Sequence, residues 1–115
     1  MSDAYRIAVV TGATSGIGKA IVPTLRARGL TVYAVGRNDA QLAELADATG
    51  AIPVQADVRD TARIAKALDG VEVDVLVNNA GILSPRAAFQ DIDPAEIDAM
   101  IDVNLKAPLH LTRVV

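Results

Sequence analysis

The chain has 115 residues, a net charge of −3, no cysteine and an apolar content of 51%. Its eleven Lys and Arg residues are scattered, which argues against a nucleic-acid-binding surface, since that needs a concentrated basic patch. Without cysteine there can be no disulfide and no thiolate metal site, and no apolar run approaches the roughly 18 to 20 residues of a membrane span.

The mean hydropathy of +0.31 is high for a soluble chain, and buried parallel strands, covered on both faces, account for it. The opening MSDAYR is polar and lacks the apolar core of a signal peptide, so a cytoplasmic protein is expected. Residues 6–11, RIAVVT, form a β-branched run that predicts a first strand. The glycine-rich stretch TGATSGIGKA follows from Thr11, and a helical pattern then runs over 19–29 to Gly29. Pro23 falls inside that helix, where a missing N–H costs about 3 kcal/mol; a kink or a frayed first turn is expected. TVYAV, 31–35, is a second strand, and Asn38 with Gln41 three residues on marks a capping box for a helix that stops at Gly50. Residues 51–56 make a third strand, with Pro53 pointing to a sheet edge. Asp60 caps a short helix over 61–68, and 73–78, VDVLVN, is a fourth strand. A loop of about fourteen residues with Gly81 and Pro85 leads to Asp93-Pro94-Ala95-Glu96, an N-cap followed by Pro and an acidic first turn. The last helix is expected to run from there to the final residue. Strand and helix alternate throughout, which predicts an α/β fold with a parallel sheet and helices on both faces, in one domain over 1–115.

A glycine-rich turn between a first strand and a first helix has a physical use. The helix N-terminus offers unpaired N–H groups and a partial positive charge, and a pyrophosphate can sit there if no Cβ intervenes. Gly12 would allow the tight turn, Gly16 the close approach and Gly18 the packing of helix on sheet. A P-loop does not fit, because Ala20 stands where a magnesium-binding hydroxyl is needed and Ala13 where the earlier glycine belongs. The bland alternative is a tight loop without a ligand.

The end of the second strand bears on the coenzyme. A carboxylate usually stands there to hold a ribose 2′-OH, but here the residues are Gly36-Arg37. A guanidinium at that place can pair a 2′-phosphate, with Thr14 and Ser15 adding hydroxyls from the facing turn. Arg37 therefore predicts NADP(H) over NAD(H); the competing reading is a solvated arginine at a loop start. Asn78-Asn79 closes the fourth strand, where ligands bind in such sheets or where amides tie loops together. Ile97, Met100, Ile101, Leu105 and Leu109 mark an apolar stripe on the last helix with Asn104 inside it. A buried amide must be satisfied by the backbone or by water.

TGATSGIG (11–18), Asp57-Val58, NNAG (78–81) and VNL (103–105), in this order and spacing, resemble the short-chain dehydrogenase/reductase family over the whole chain. The resemblance implies a Rossmann doubly wound sheet of seven or so strands, cut here after strand four and its helix, and hydride transfer between NAD(P)(H) and a carbonyl or alcohol. By position, Gly12, Gly16, Ile17 and Gly18 would line the pyrophosphate, and Arg37 with Ser15 would select the 2′-phosphate. Asp57 and Val58 would flank the adenine, the carboxylate accepting from its amino group. Asn79, Ala80 and Gly81 would lie along the ribose and nicotinamide. Asn104 would be the asparagine of the catalytic tetrad, whose main-chain carbonyl holds a water in a proton relay.

The family's catalytic Ser and Tyr-x-x-x-Lys are not among these residues. Tyr5 is followed four residues on by Val9, and Tyr33 by Arg37 on a strand, where that spacing does not align side chains as a helix does. His110, the only histidine, is expected to pack or face solvent. The final helix stops at Val115 without a capping residue, and strand four would be an open edge. A fragment of a longer reductase or dehydrogenase is therefore expected, inactive by itself, whose partners are its missing C-terminal half, a small carbonyl or alcohol substrate and further copies in a dimer or tetramer. The alternatives are a non-catalytic NADP(H)-binding module and a scaffold whose open edge recruits a partner strand.

Overall fold

The computed structural model describes residues 5–83 and 88–115. Pro85 and the opening MSDA lie outside the described residues. Four strands, β1 (Ile7–Thr11), β2 (Thr31–Gly36), β3 (Ile52–Gln55) and β4 (Val75–Val77), form one parallel sheet in the order β3-β2-β1-β4. Helices α1 (Gly16–Ala27), α2 (Asp39–Thr49) and α3 (Thr61–Ala67) connect them, and after β4 come a 3-10 turn (Phe89–Asp91), α4 (Pro94–Ile101), a π-helical turn (Asp102–Lys106) and α5 (Ala107–Val114).

β1 lies in the middle because its residues suit burial on both faces. Ala8 and Val10 pack on one side with Val22 of α1 and Leu42 and Leu45 of α2. Val9 packs on the other with Val35, Val54, Ile64 of α3 and Leu111 of α5. This period-two division of one strand between two cores is what a doubly covered Rossmann sheet requires. Ala8, Val9 and Val10 pair with Val75, Leu76 and Val77 on one side, while Ile7 to Thr11 pair with Thr31 to Val35 on the other. At the entry end, the Asp74 carboxylate accepts the N–H groups of Arg6 at 2.8 Å and Ile7 at 3.0 Å, fastening β4 to the start of β1.

Several boundaries differ from the sequence expectation. Helix α1 begins at Gly16 rather than 19, and Lys19 N–H bonds the Ser15 carbonyl at 3.2 Å, so its first turn is formed and not frayed. The helix runs unbroken through Pro23, which is exposed. Asn38 caps α2 by accepting from Gln41 N–H at 3.0 Å, and Asp60 accepts from Arg63 N–H at 3.1 Å at the start of α3. Pro53 does sit in an edge strand. β4 is shorter than 73–78, at three residues.

The last helix departs most. It is not one α-helix to the end: Ala107 N–H reaches back five residues to the Asp102 carbonyl in the π turn. The residues turned to the core are Val103, Ala107 and Leu111. Of the expected stripe, Ile97 and Met100 are half-buried, whereas Ile101, Leu105 and Leu109 face outward with 45%, 53% and 64% exposure. The buried face is thus the one that repeats every four residues from Val103, and Leu111 packs there against Ile64 of α3 and Val9 of the sheet.

Candidate functional site

The strand order reverses between β1 and β4, which opens a crevice above their carboxyl ends. The glycine turn after β1 and the Asn78–Gly81 stretch after β4 meet there. Thr11 joins them. Its hydroxyl is buried, donates to the Val77 carbonyl at 3.3 Å and accepts the N–H groups of Asn79 and Ala80, both at 3.0 Å. The sequence reading gives Thr11 no role. The available signal is a hydroxyl ending an apolar strand, which a fully buried position tolerates only if bonded. Asn79 adds a second tie, its side-chain N–H donating to the Gly12 carbonyl at 3.1 Å. Asn78 reaches Thr112 Oγ1 at 3.4 Å, so each of the two amides ties a neighbouring segment.

The three glycines differ in what they make room for. Gly12 has φ +58° and a Cβ there would come within 2.9 Å of Ala80 Cα. Gly18 is buried, and a Cβ on it would collide with the Gly12 carbonyl. Gly16 has φ +55° with open space where its Cβ would point. A side chain at Gly16 would therefore point into open space beside the helix start, and Gly16, Ile17 and Gly18 are not among the residues that line the cleft described next. Ser15 is the N-cap of α1, yet its hydroxyl makes no capping bond. The N–H groups of the first turn and the Ser15 hydroxyl are thus left to whatever lies outside, and an anion suits them. Ile17 beside them is 73% exposed.

Gly12, Thr14, Ser15, Arg37, Asp57, Val58, Asn79, Ala80 and Gly81 line one cleft. A Cβ at Gly36 would meet Thr14 Cγ2 at 2.9 Å, so the glycine before Arg37 lets β2 close on the turn. Arg37 is exposed at the lip, and among the described residues its guanidinium has no hydrogen-bond or ion-pair partner. Its carbonyl accepts from Gln55 Nε2 at 3.3 Å. Asp57 is engaged in a way the sequence reading does not foresee: its carboxylate is gripped by Arg59, two residues on. Arg59 N–H and Nε both donate to Oδ1 at 2.9 Å, and Nη2 donates to Oδ2 at 2.6 Å. That fork pulls the Asp57 pKa down from 3.8 to about 2, with the Arg37 charge adding to the effect and burial opposing it. The Asp-x-Arg spacing is the available signal for Arg59.

Asn104 lies beside the Asn79–Gly81 stretch. Its Oδ1 accepts the Ile82 N–H at 2.8 Å and its Nδ2 donates to the Ile82 carbonyl at 2.8 Å. The residue is exposed rather than buried in an apolar stripe, and the backbone satisfies its amide. It sits in the π turn, and Pro108 stands four residues on. Proline has no N–H, so the donor that an α-helix would offer to the Asn104 carbonyl does not exist. Single π turns are frequent at functional sites. His110 is exposed, one of the two placements expected for it.

A parallel sheet with a glycine turn at its switch point defines a dinucleotide-binding α/β protein. The model of the short chain dehydrogenase family matches residues 6–115, and the chain belongs to that family. It is 47% identical over 109 residues to an uncharacterized short-chain type dehydrogenase/reductase of Sinorhizobium fredii, covering 95% of this chain and 44% of that protein. A metagenomic short-chain oxidoreductase crystallised with NADP superposes with a TM-score of 0.87 at 37% identity, covering 95% of this chain and 54% of that one. A 3-ketoacyl-(acyl-carrier-protein) reductase of Brucella melitensis complexed with NADH gives 0.85 at 31% identity, with 94% and 47% covered. The chain spans about half the length of the relatives it matches. Among the described residues no helix is long and apolar enough to cross a membrane, and no group of metal-ligating side chains is found.

Proposed function

We propose that the chain is the coenzyme-binding part of an NADP(H)-dependent reductase or dehydrogenase. When bound, the nicotinamide supplies or accepts a hydride against a small carbonyl or alcohol. The residues fit such a group: Gly16 leaves open space beside the helix start, where a Cβ would point, and Ser15 leaves its hydroxyl uncommitted. In this reading Gly12, Gly16, Ile17 and Gly18 line the pyrophosphate, Thr14 and Ser15 add hydroxyls beside Arg37 at the 2′-phosphate, Asp57 and Val58 flank the adenine, and Asn79, Ala80 and Gly81 border the ribose and nicotinamide. Asn104 offers its carbonyl, denied a helical donor by Pro108, to a water in a proton relay. The acid that protonates a carbonyl has to come from outside these 115 residues, because they hold no Tyr-x-x-x-Lys; the piece alone binds coenzyme without turnover. The outward Ile101, Leu105 and Leu109 support association of copies through the last helix, and the reading keeps the enzyme in the cytoplasm.

The observation that carries the coenzyme choice is Arg37, a guanidinium with no partner among the described residues, at the strand end where a 2′-OH needs a carboxylate. The metagenomic relative was crystallised with NADP and the Brucella reductase with NADH, so kinship alone leaves the choice to local chemistry. A hydrogen bond to a charged group is worth about 1.5–3 kcal/mol, or roughly 10- to 150-fold in affinity. Titration followed by nicotinamide fluorescence is expected to show NADPH binding tighter than NADH by that factor. Arg37→Ala is expected to lose the preference while keeping the NADH affinity. Equal affinities in the unsubstituted chain would contradict the reading.

A further inference from the structure

The Asp57-Val58-Arg59 turn after β3 holds a feature that phosphate recognition does not use. An ionised carboxylate has about four lone-pair positions, two on each oxygen. Arg59 fills both on Oδ1, through its main-chain N–H and Nε, and one on Oδ2, through Nη2. The main chain reinforces the arrangement, because Asp60 N–H bonds the Asp57 carbonyl at 2.9 Å and closes the turn. The Arg59 and Asp57 side chains are 43% and 30% exposed, so the pair lies at the surface rather than in the core, and Asp57 lines the cleft. An exposed ion pair adds little to stability. A bidentate fork does add geometric definition, since it fixes the plane of the carboxylate.

We infer that Arg59 is a positioning residue for base selection: by occupying three of the four acceptor positions of Asp57, it leaves one Oδ2 lone pair in a fixed direction, which takes a 6-amino purine and refuses a 6-oxo purine. The inference rests on the adenosine end of the coenzyme lying against Asp57. An amino group donates to that lone pair. A 6-oxo group presents its own lone pairs to a carboxylate that can only accept, and the two repel. Without the fork, Asp57 can rotate and accept the ring N1–H that a 6-oxo purine carries, so the distinction weakens. The carboxylate stays ionised at neutral pH with or without Arg59, because its ordinary pKa is already about 3.8. The effect of Arg59 at that pH is on direction, not on protonation.

The test compares NADPH with its hypoxanthine counterpart, in which adenine is replaced by hypoxanthine, both followed by nicotinamide fluorescence. The unsubstituted chain is expected to favour NADPH by about tenfold or more, the value of a hydrogen bond to a charged acceptor. In Arg59→Ala the ratio is expected to fall at least threefold. Arg59→Lys, which keeps the charge and loses the fork, is expected to show the same fall, and it serves if the alanine variant does not fold. The NADPH-over-NADH preference, assigned to Arg37, is expected to stay unchanged in both variants. An unchanged purine ratio in the variants overturns the inference. So does a collapse of the NADPH-over-NADH preference, which would make Arg59 a phosphate ligand. If the unsubstituted chain binds NADPH but does not distinguish the two bases, the inference fails while the coenzyme reading stands. If it binds neither, both fail.

Discussion

Gly16 carries more of the account than any other single residue. Its φ of +55° disfavours any side chain, and the space beyond it is open; the proposed function puts the pyrophosphate there. Gly16→Val is expected to abolish binding of NADPH and NADH alike, measured by titration, while Arg37→Ala affects NADPH alone. Two carboxylates give a pH signature. Asp57 and Asp74 both have pKa values lowered from 3.8, the first by the Arg59 fork and the second by the N–H groups of Arg6 and Ile7. A lowered pKa in the folded state means that each group stabilises above its ordinary value of 3.8 and loses that contribution as pH falls, in the case of Asp57 toward about 2. Thermal denaturation should therefore show the unsubstituted chain and Arg59→Ala differing most above about pH 4 and converging in stronger acid. A stability gap that widens on acidification would contradict the assignment. The glycines, Arg37 and the two asparagines can be singled out in the sequence because turns and charge reversals leave local signs. Arg59 escapes a reading that judges Asp57 against a ligand and not against its own neighbours. Thr11 escapes because only the meeting of β1 with the β4 loop shows what its hydroxyl joins.

At the scale of elements, the composite last helix separates two kinds of apolar position. Leu111 is 1% exposed against the core and Leu109 is 64% exposed on the opposite side. Leu111→Ala is expected to cost about 2–5 kcal/mol, and Leu109→Ala to change stability by no more than about 0.5 kcal/mol; urea denaturation of the two variants distinguishes the observed face from the one the sequence favours. Pro108→Ala restores an N–H four residues after Asn104, and the helix is expected to gain stability, by up to about 3 kcal/mol if the turn becomes regular α. Melting temperature reads the gain in stability. Hydrogen exchange at the restored amide reads the change in the turn: protection means that the Asn104 carbonyl has been taken up, and an unprotected amide means that the π turn has other causes. Helix starts are legible where a cap stands in the sequence, at Asn38, Asp60 and Asp93, each of which accepts from a first-turn N–H. The start of α1 is not, because Gly16 and Gly18 are poor helix formers. Packing decides there: only glycine fits at position 18 beside the Gly12 carbonyl. The π turn, which carries Asn104 with its amide bonded to Ile82, leaves no periodic signal in the sequence.

For the molecule as a whole, alternation of strands and helices is enough to give the sheet type, because parallel strands need crossovers and bury both faces. Pro53 gives the position of β3 at an edge, and the burial of β1 on both sides follows from its β-branched residues. Strand order is not written in any local pattern, and it is the order that makes the site, since the reversal between β1 and β4 brings the glycine turn and Asn79 together. The direct test is amide chemical-shift mapping of the isotope-labelled chain during titration with NADPH. The largest changes are expected at Gly12 to Gly18, with smaller ones at Arg37 and at Asn79 to Gly81. A saturable titration whose changes cluster elsewhere, or a glycine turn that stays unperturbed at saturating NADPH, would contradict the account.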